Sequence, residues 1–308
     1  MFINLSREGS SVRDMKAKKM KARQDTARKD IARVQTGFPV LDKMLQGGLP
    51  AGSITLLSGA CGTGKSTFAM QFLYNGAKYC NEPGVYVTLE EDPKKLVENM
   101  DLFGWDVQGL IDSKKIIVLK PEIYKFDSIK RIIEDAIEKI GAKRLVVDSY
   151  SVMLTYFSDP YEVRNGLVQL DREIKKMDCT ALVISDIKDN SEIFSTTGVE
   201  EFIVDGVIVL YLVKSERHQH ESERALAVRK MRATRHSLRP YIFDIGRDGI
   251  TLGGVHGIST PAHASRPKAE KKQTAPEKNE KKSRGTSIDL SRLRSDSRKG
   301  HSWRWRHL

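Results

Sequence analysis

Gly59-Ala-Cys-Gly-Thr-Gly-Lys65-Ser66 fits the pattern G-x-x-x-x-G-K-[ST] at every fixed position. The chemistry this predicts is the holding of a nucleotide's phosphates. Backbone N–H groups along such a loop point at the β- and γ-phosphates, and the helix that follows adds a partial positive charge. Gly59, Gly62 and Gly64 let the chain wrap closely with no Cβ in the way. Thr63 and Thr67 fall inside the same cradle. Lys65 brings a full positive charge, and the Ser66 hydroxyl suits a Mg²⁺ ion.

A second carboxylate-bearing strand end is expected to hold the metal. Arg144-Leu-Val-Val-Asp148 is an apolar run that ends in Asp148, and in phosphate-loop proteins such an aspartate serves Mg²⁺. A solvated aspartate at a strand end is the plainer alternative. Glu90 and Glu91 follow directly on the run Gly84–Leu89. Glu90 is the expected general base for water, with Glu91 beside it, because neighbouring carboxylates help one another hold a proton. The alternative is that Glu91 and Asp92 cap the helix opened by Pro93. Lys230 and Arg232 flank Met231, so on a strand both cations share one face. No anion of this chain is expected opposite them; a neighbouring subunit's γ-phosphate would supply one, and a solvated edge strand is the alternative.

These residues need a scaffold that delivers strand ends to one crevice. Ser53–Ser58 reads as a buried strand before the loop, and the stretch after it has apolar residues at helical spacing. Further strands are predicted at Gly84–Leu89, Lys115–Lys120, Arg144–Asp148 and Thr180–Ser185. Helices are predicted at Asp42–Leu45, Pro93–Phe103, Asp127–Ile140 and Tyr161–Met177. Near-continuous apolar strands alternating with helices signal a mostly parallel α/β sheet covered on both faces. In an open parallel sheet the strands' C-terminal ends meet in one crevice, where Glu90, Asp148 and the loop should converge. Four later strands, Gly206–Val213, Arg224–Ala233, Tyr241–Ile245 and Gly249–Leu252, have short connections and should extend one edge as antiparallel pairs.

Charge divides the chain into three parts. Residues 1–35 carry ten Lys/Arg against four Asp/Glu, and residues 259–308 carry fourteen against five. The central part, 36–258, is therefore mildly acidic at net −3. We expect a basic N-terminal arm, one central domain and a disordered basic tail rich in Pro, Ser, Lys and Glu. The basic ends suit nucleic acid or anionic lipid and say nothing of the central chemistry. Trp303-Arg-Trp305-Arg306 mixes aromatics with cations in the manner of a single-strand stacking segment, or is simply part of the tail. His218 and His220 fall in a charged hairpin that reads as a solvated loop rather than a metal site. No run approaches the roughly 18 apolar residues of a membrane span. Cys61, Cys80 and Cys179 are an odd number without metal-ligand spacing, as expected of free thiols in a reducing cytoplasm.

Beyond these single positions, longer stretches resemble the KaiC-like branch of the RecA-type ATPases. They are TGFPVLDKMLQGGLPAGS, GACGTGKSTFAMQFLYNGA, GVYVTLEED, LFGWD, RLVVDSYS, GVEEFIVDGVIVL and KMRATRHSLRPYIFDI, spread over Thr36 to Leu252. The resemblance implies a RecA-like three-layer fold, ATP and Mg²⁺ as ligands, and assembly into a homo-oligomer, a hexameric ring with ATP between subunits. It implies roles by position: Glu90 matches the catalytic glutamate, Asp148 the metal-binding aspartate, and Lys230 with Arg232 the pair reaching a neighbour's ATP. Two departures stand out. Cys61 takes a position that the family usually gives to Pro, which places a thiol in the loop. Glu201-Phe202 lies where one domain of the double-domain clock protein carries a phosphorylated Ser-Thr pair, so no hydroxyl is present there.

The expected function is thus an oligomeric, slowly hydrolysing ATPase switch acting on a partner protein. A RecA-type recombinase paralogue that binds DNA is the alternative from another class, and a Ser/Thr protein kinase is a third on family analogy.

Overall fold

The computed structural model describes residues 31–253 apart from 123–124, 158, 190 and 215–221. The chain forms β1 (Arg33–Val34), α1 (Pro39–Met44), β2 (Leu49–Pro50), β3 (Ile54–Gly59), α2 (Lys65–Asn75) and a π-helical turn at Gly76–Cys80. It continues with β4 (Gly84–Thr88), α3 (Pro93–Asp101), α4 (Val107–Asp112), β5 (Ile116–Leu119), α5 (Phe126–Ile140) and β6 (Arg144–Asp148). Then come α6 (Tyr150–Met153), α7 (Pro160–Lys176), β7 (Thr180–Asp186), α8 (Glu200–Ile203), β8 (Gly206–Lys214), β9 (Ser222–Met231), β10 (Tyr241–Gly246) and β11 (Gly249–Leu252).

One sheet runs in the order β11-β10-β9-β8-β3-β7-β6-β4-β5. The six strands from β8 to β5 are mutually parallel, and β9, β10 and β11 add antiparallel partners at the β8 edge. This is the expected mixed α/β sheet. Strand alternation sends neighbours to opposite faces. Leu57, Tyr86 and Val146 pack on one side with Phe68 and Phe72 of α2. Leu56, Val85 and Val147 pack on the other with Ile129 and Ile133 of α5 and Leu167 and Leu170 of α7. The result is three layers, helix on sheet on helix. Fully burying a leucine such as Leu56 contributes about 1.5–3 kcal/mol, so a polar residue on either face of these central strands would be costly.

Local signals set the helix ends. Asp92 accepts from the N–H groups of Lys94 and Lys95, and Pro93 opens α3. Gly141 closes α5 in the left-handed conformation at φ +61°. Strand β1 lies before the expected start of the core at Thr36. It pairs antiparallel with β2, and its Val34 is buried. Helices α4, α6 and α8 were not expected; each is short, and short elements carry little periodicity. The expected arm up to residue 30, the His218–His220 pair and the tail with Trp303–Arg306 lie outside the described residues. Among those described, no helix is long and apolar enough to cross a membrane.

Candidate functional site

The phosphate-loop sequence sits where its chemistry needs it. It leaves the C-terminal end of β3, every residue of which is buried, and runs into α2. Gly62 and Gly64 have φ of +78° and +95°, conformations that suit glycine. A Cβ on Gly59 would lie 2.6 Å from Thr63 Oγ1 and 2.9 Å from the Leu210 carbonyl oxygen. Thr63 Oγ1 donates to the Ala60 carbonyl at 2.8 Å and so braces the loop from inside. Gly64 is the N-cap of α2, and no side chain caps the first N–H groups of that helix. A helix start without a side-chain cap, opening onto a glycine loop, fits an anion. Ser66 and Thr67 lie in the first turn. Lys65 Nζ donates to the carbonyls of Gly59 and Ala60, both at 2.9 Å, and lies 3.1 Å from Asp186 Oδ1. Cys61 is exposed in the loop, whereas burial pushes the Cys179 thiol up to about 12.

Asp148 ends β6 two strands from β3. Tyr86, buried in β4, donates its hydroxyl proton to Asp148 Oδ2 at 2.6 Å. Burial raises the Asp148 carboxyl above its ordinary range; hydrogen bonds from Tyr86 and Ser66 act against that rise, the Asp186 charge adds to it and Lys65 opposes it. Ser66 and Asp148, the two residues expected to serve Mg²⁺, thus lie within hydrogen-bond reach of each other. Magnesium is commonly held by one or two carboxylates together with substrate phosphates and waters, and Asp148 with Ser66 is a donor set of that kind.

The two glutamates part. Ser149 Oγ lies 3.4 Å from Glu90 Oε1, which puts Glu90 beside Asp148 in the crevice. The Glu90 carbonyl is anchored by Lys120 Nζ at 2.7 Å, leaving the exposed side chain over the strand ends. Glu91, expected beside it, turns away: its Oε1 accepts from Asn99 of α3 at 3.0 Å, and its backbone is tied to the Thr88 hydroxyl. Glu91 thus braces the start of α3.

Lys230 and Arg232 do share a face, and here the expectation of no anion within the chain is corrected. Asp205 Oδ1 accepts from Arg232 at 3.1 Å, and the Phe202 carbonyl accepts from it at 3.2 Å. Lys230 Nζ donates to the carbonyls of Glu201, Phe202 and Val204 at 2.9, 3.3 and 2.7 Å. The short helix α8 ends with these carbonyls bare, and the paired cations satisfy them. Burial and the neighbouring Arg232 both lower the Lys230 ammonium's pKa.

The family description "ATPase: KaiC" matches residues 34–255. A UPF0273 protein of Methanocaldococcus jannaschii is 38% identical over 237 residues, covering 71% of this chain and 96% of that protein. The chain belongs to the KaiC ATPase family. The circadian clock oscillator protein KaiC of Parathermosynechococcus lividus is 37% identical, but the KaiC match spans only 42% of that longer protein. The crystal structure of a KaiC-like protein from the archaeon Pyrococcus horikoshii superposes with a TM-score of 0.66 at 38% identity, covering 73% of this chain and all of that one. The RecA-like α/β layering is thus the KaiC fold.

Around the KaiC-type loop stand three residues that motif reading did not single out. Tyr86 touches Asp148, Asp186 touches Lys65, and Arg224 Nε donates to the Gly62 carbonyl at 3.2 Å. Tyr86 and Asp186 sit on strands that flank the crevice, and their positions follow only from the strand order. Arg224 reaches the loop because β9 runs antiparallel to β8. On α8 the Glu201 carboxylate accepts from Ser195 Oγ and the Phe194 N–H. Thr197 Oγ1 donates to Glu200 at 2.7 Å.

Proposed function

We propose that this chain hydrolyses ATP slowly as an oligomeric switch, with each site completed by Arg232 from the adjoining copy. One observation carries the shared site. Asp205, the partner of Arg232, is hydrogen-bonded through its backbone to Ile54, the first residue of β3. The phosphate loop follows Gly59, the last residue of that strand. A strand of this length spans roughly 17 Å. Lys230 and Arg232 therefore lie at the opposite end of β3 from their own loop, and a phosphate they meet belongs to another copy. A head-to-tail interface of this kind closes into a ring when the rotation per subunit divides a full turn.

Within one copy the residues divide the work. The N–H groups at the start of α2 and the loop glycines orient the β- and γ-phosphates. Lys65 turns from its loop carbonyls to the phosphate oxygens. Ser66 and Asp148 would hold Mg²⁺, which neutralises charge between the β- and γ-phosphates when bound. Glu90 accepts the proton of the attacking water, with Ser149 fixing its carboxylate. Among the described residues Arg232 uses two of its N–H donors, and the others can be placed on the neighbour's γ-phosphate. Light scattering with and without Mg-ATP tests the reading. A hexamer-sized particle with ATP is expected; a monomer that hydrolyses ATP at the same rate as concentrated protein would overturn it.

A further inference from the structure

Lysine has three N–H donors, and the structure gives Lys65 Nζ three acceptors: the Gly59 carbonyl and the Ala60 carbonyl at 2.9 Å, and Asp186 Oδ1 at 3.1 Å. A phosphate oxygen can reach this ammonium only by displacing one of them. Two acceptors are neutral loop carbonyls. The third is a carboxylate, which carries the same sign of charge as the arriving phosphate.

Asp186 is held in place for this contact. It ends β7 and pairs in register with Gly59, the first residue of the phosphate loop. Its N–H donates to Ser151 Oγ at 2.8 Å, and its carbonyl accepts from Thr196 Oγ1 at 3.0 Å. Those two hydroxyls lie 2.7 Å apart, and Ser185 Oγ lies 3.0 Å from Thr196 Oγ1. The next residue, Ile187, donates its N–H to the Gly59 carbonyl at 3.3 Å. The backbone is pinned from two sides, and the side chain, about half exposed, leans over the loop onto a lysine that is 10% exposed.

We propose that Asp186 is a built-in competitor for Lys65 that a nucleotide's phosphates must displace, so that it sets how tightly this chain binds nucleotide. The proposal rests on the nucleotide-binding reading above. While the loop is free of phosphate, the carboxylate holds the lysine down on its own loop. Once the ammonium turns to the phosphates, Asp186 loses its partner and faces like charge at close range, which adds a repulsion to the bound state. Both effects weaken binding; an amide in place of the carboxylate removes the charge repulsion and leaves only a weaker, neutral acceptor for the lysine.

The test is a calorimetric titration of the full chain with Mg²⁺ and a non-hydrolysable ATP analogue. Asp186→Asn is expected to bind about tenfold or more tightly than the wild type, while Asp186→Glu, which keeps the charge, stays near the wild type. In a Lys65→Ala background the same Asp186→Asn change is expected to tighten binding by a smaller factor, because the lysine contact is already gone. Thermal melts of each variant confirm that the fold persists. Wild-type binding with an unchanged or weaker Asp186→Asn overturns the competitor alone. Binding by neither protein overturns the nucleotide reading and the competitor with it. Binding seen only after Asp186→Asn supports both.

Discussion

The carbonyl oxygen of Phe202 accepts a hydrogen bond from Lys230 at 3.3 Å and from Arg232 at 3.2 Å. The two cations that the sequence places together as a pair thus divide their tasks. Lys230 spends all three donors on the end of α8. Arg232 spends two and keeps the rest. Arg232→Ala should lower turnover by roughly 10³-fold or more, the range for an arginine donated in trans, with nucleotide affinity nearly unchanged. Lys230→Met should instead lower the melting temperature, because partly buried carbonyls left without donors cost about 1–3 kcal/mol each. Phosphate-release rates and thermal melts on the two variants separate these effects. Equal rate losses with unchanged melting in both would show that Lys230 also works on the phosphate.

Glu90 and Glu91 are adjacent in sequence yet serve different elements. Glu90→Gln should keep nucleotide binding and lose about 10²- to 10⁴-fold in turnover, the usual range for a general base. Glu91→Gln should stay within a few-fold of the wild type, since an amide oxygen can still accept from Asn99. Single-turnover hydrolysis alongside a binding titration checks both. A dead Glu91→Gln with an active Glu90→Gln would exchange their roles.

Most of the sheet was legible in the sequence, because each central strand is built around a short run of apolar, mostly β-branched residues. Arg144–Asp148 and Gly249–Leu252 fall on the predicted residues, and the antiparallel edge follows from the short connections after Gly206. The site was legible where it is local: the glycine loop, Asp148 at a strand end, and Glu90 after another. What stayed hidden depends on which strands lie side by side. Asp186 meets Lys65 because β7 is in register with β3, and Tyr86 meets Asp148 because β4 is in register with β6. The acceptors for Lys230 and Arg232 were hidden because α8 spans only Glu200–Ile203, too short to show a period.

The Asp148 environment predicts a pH dependence. Burial raises its carboxyl, while the Tyr86 hydrogen bond works to lower it. A raised acid favours the protonated form in the folded chain, so its contribution to stability is present at low pH and lost as pH rises through the folded value. Metal binding runs the other way, because only the carboxylate ligates. As pH is lowered, the affinity of the nucleotide complex for Mg²⁺ should therefore begin to fall at a higher pH than an ordinary aspartate would give. Tyr86→Phe removes the opposing hydrogen bond and should move this fall to higher pH. Mg²⁺ titrations of wild type and Tyr86→Phe across mildly acidic pH check the shift; a fall displaced to lower pH in Tyr86→Phe would contradict it.

The shared site is tested most directly by mixing two inactive proteins, Arg232→Ala and Glu90→Gln, and measuring phosphate release. If each site takes its arginine from the adjoining copy, an Arg232→Ala subunit with an intact Glu90 is rescued wherever a Glu90→Gln subunit lends it Arg232. In an evenly mixed ring about a quarter of the interfaces have that arrangement, so activity should recover to a comparable fraction of the wild type. A mixture no more active than its two components, with subunit exchange verified by mass, would show that each chain completes its own site.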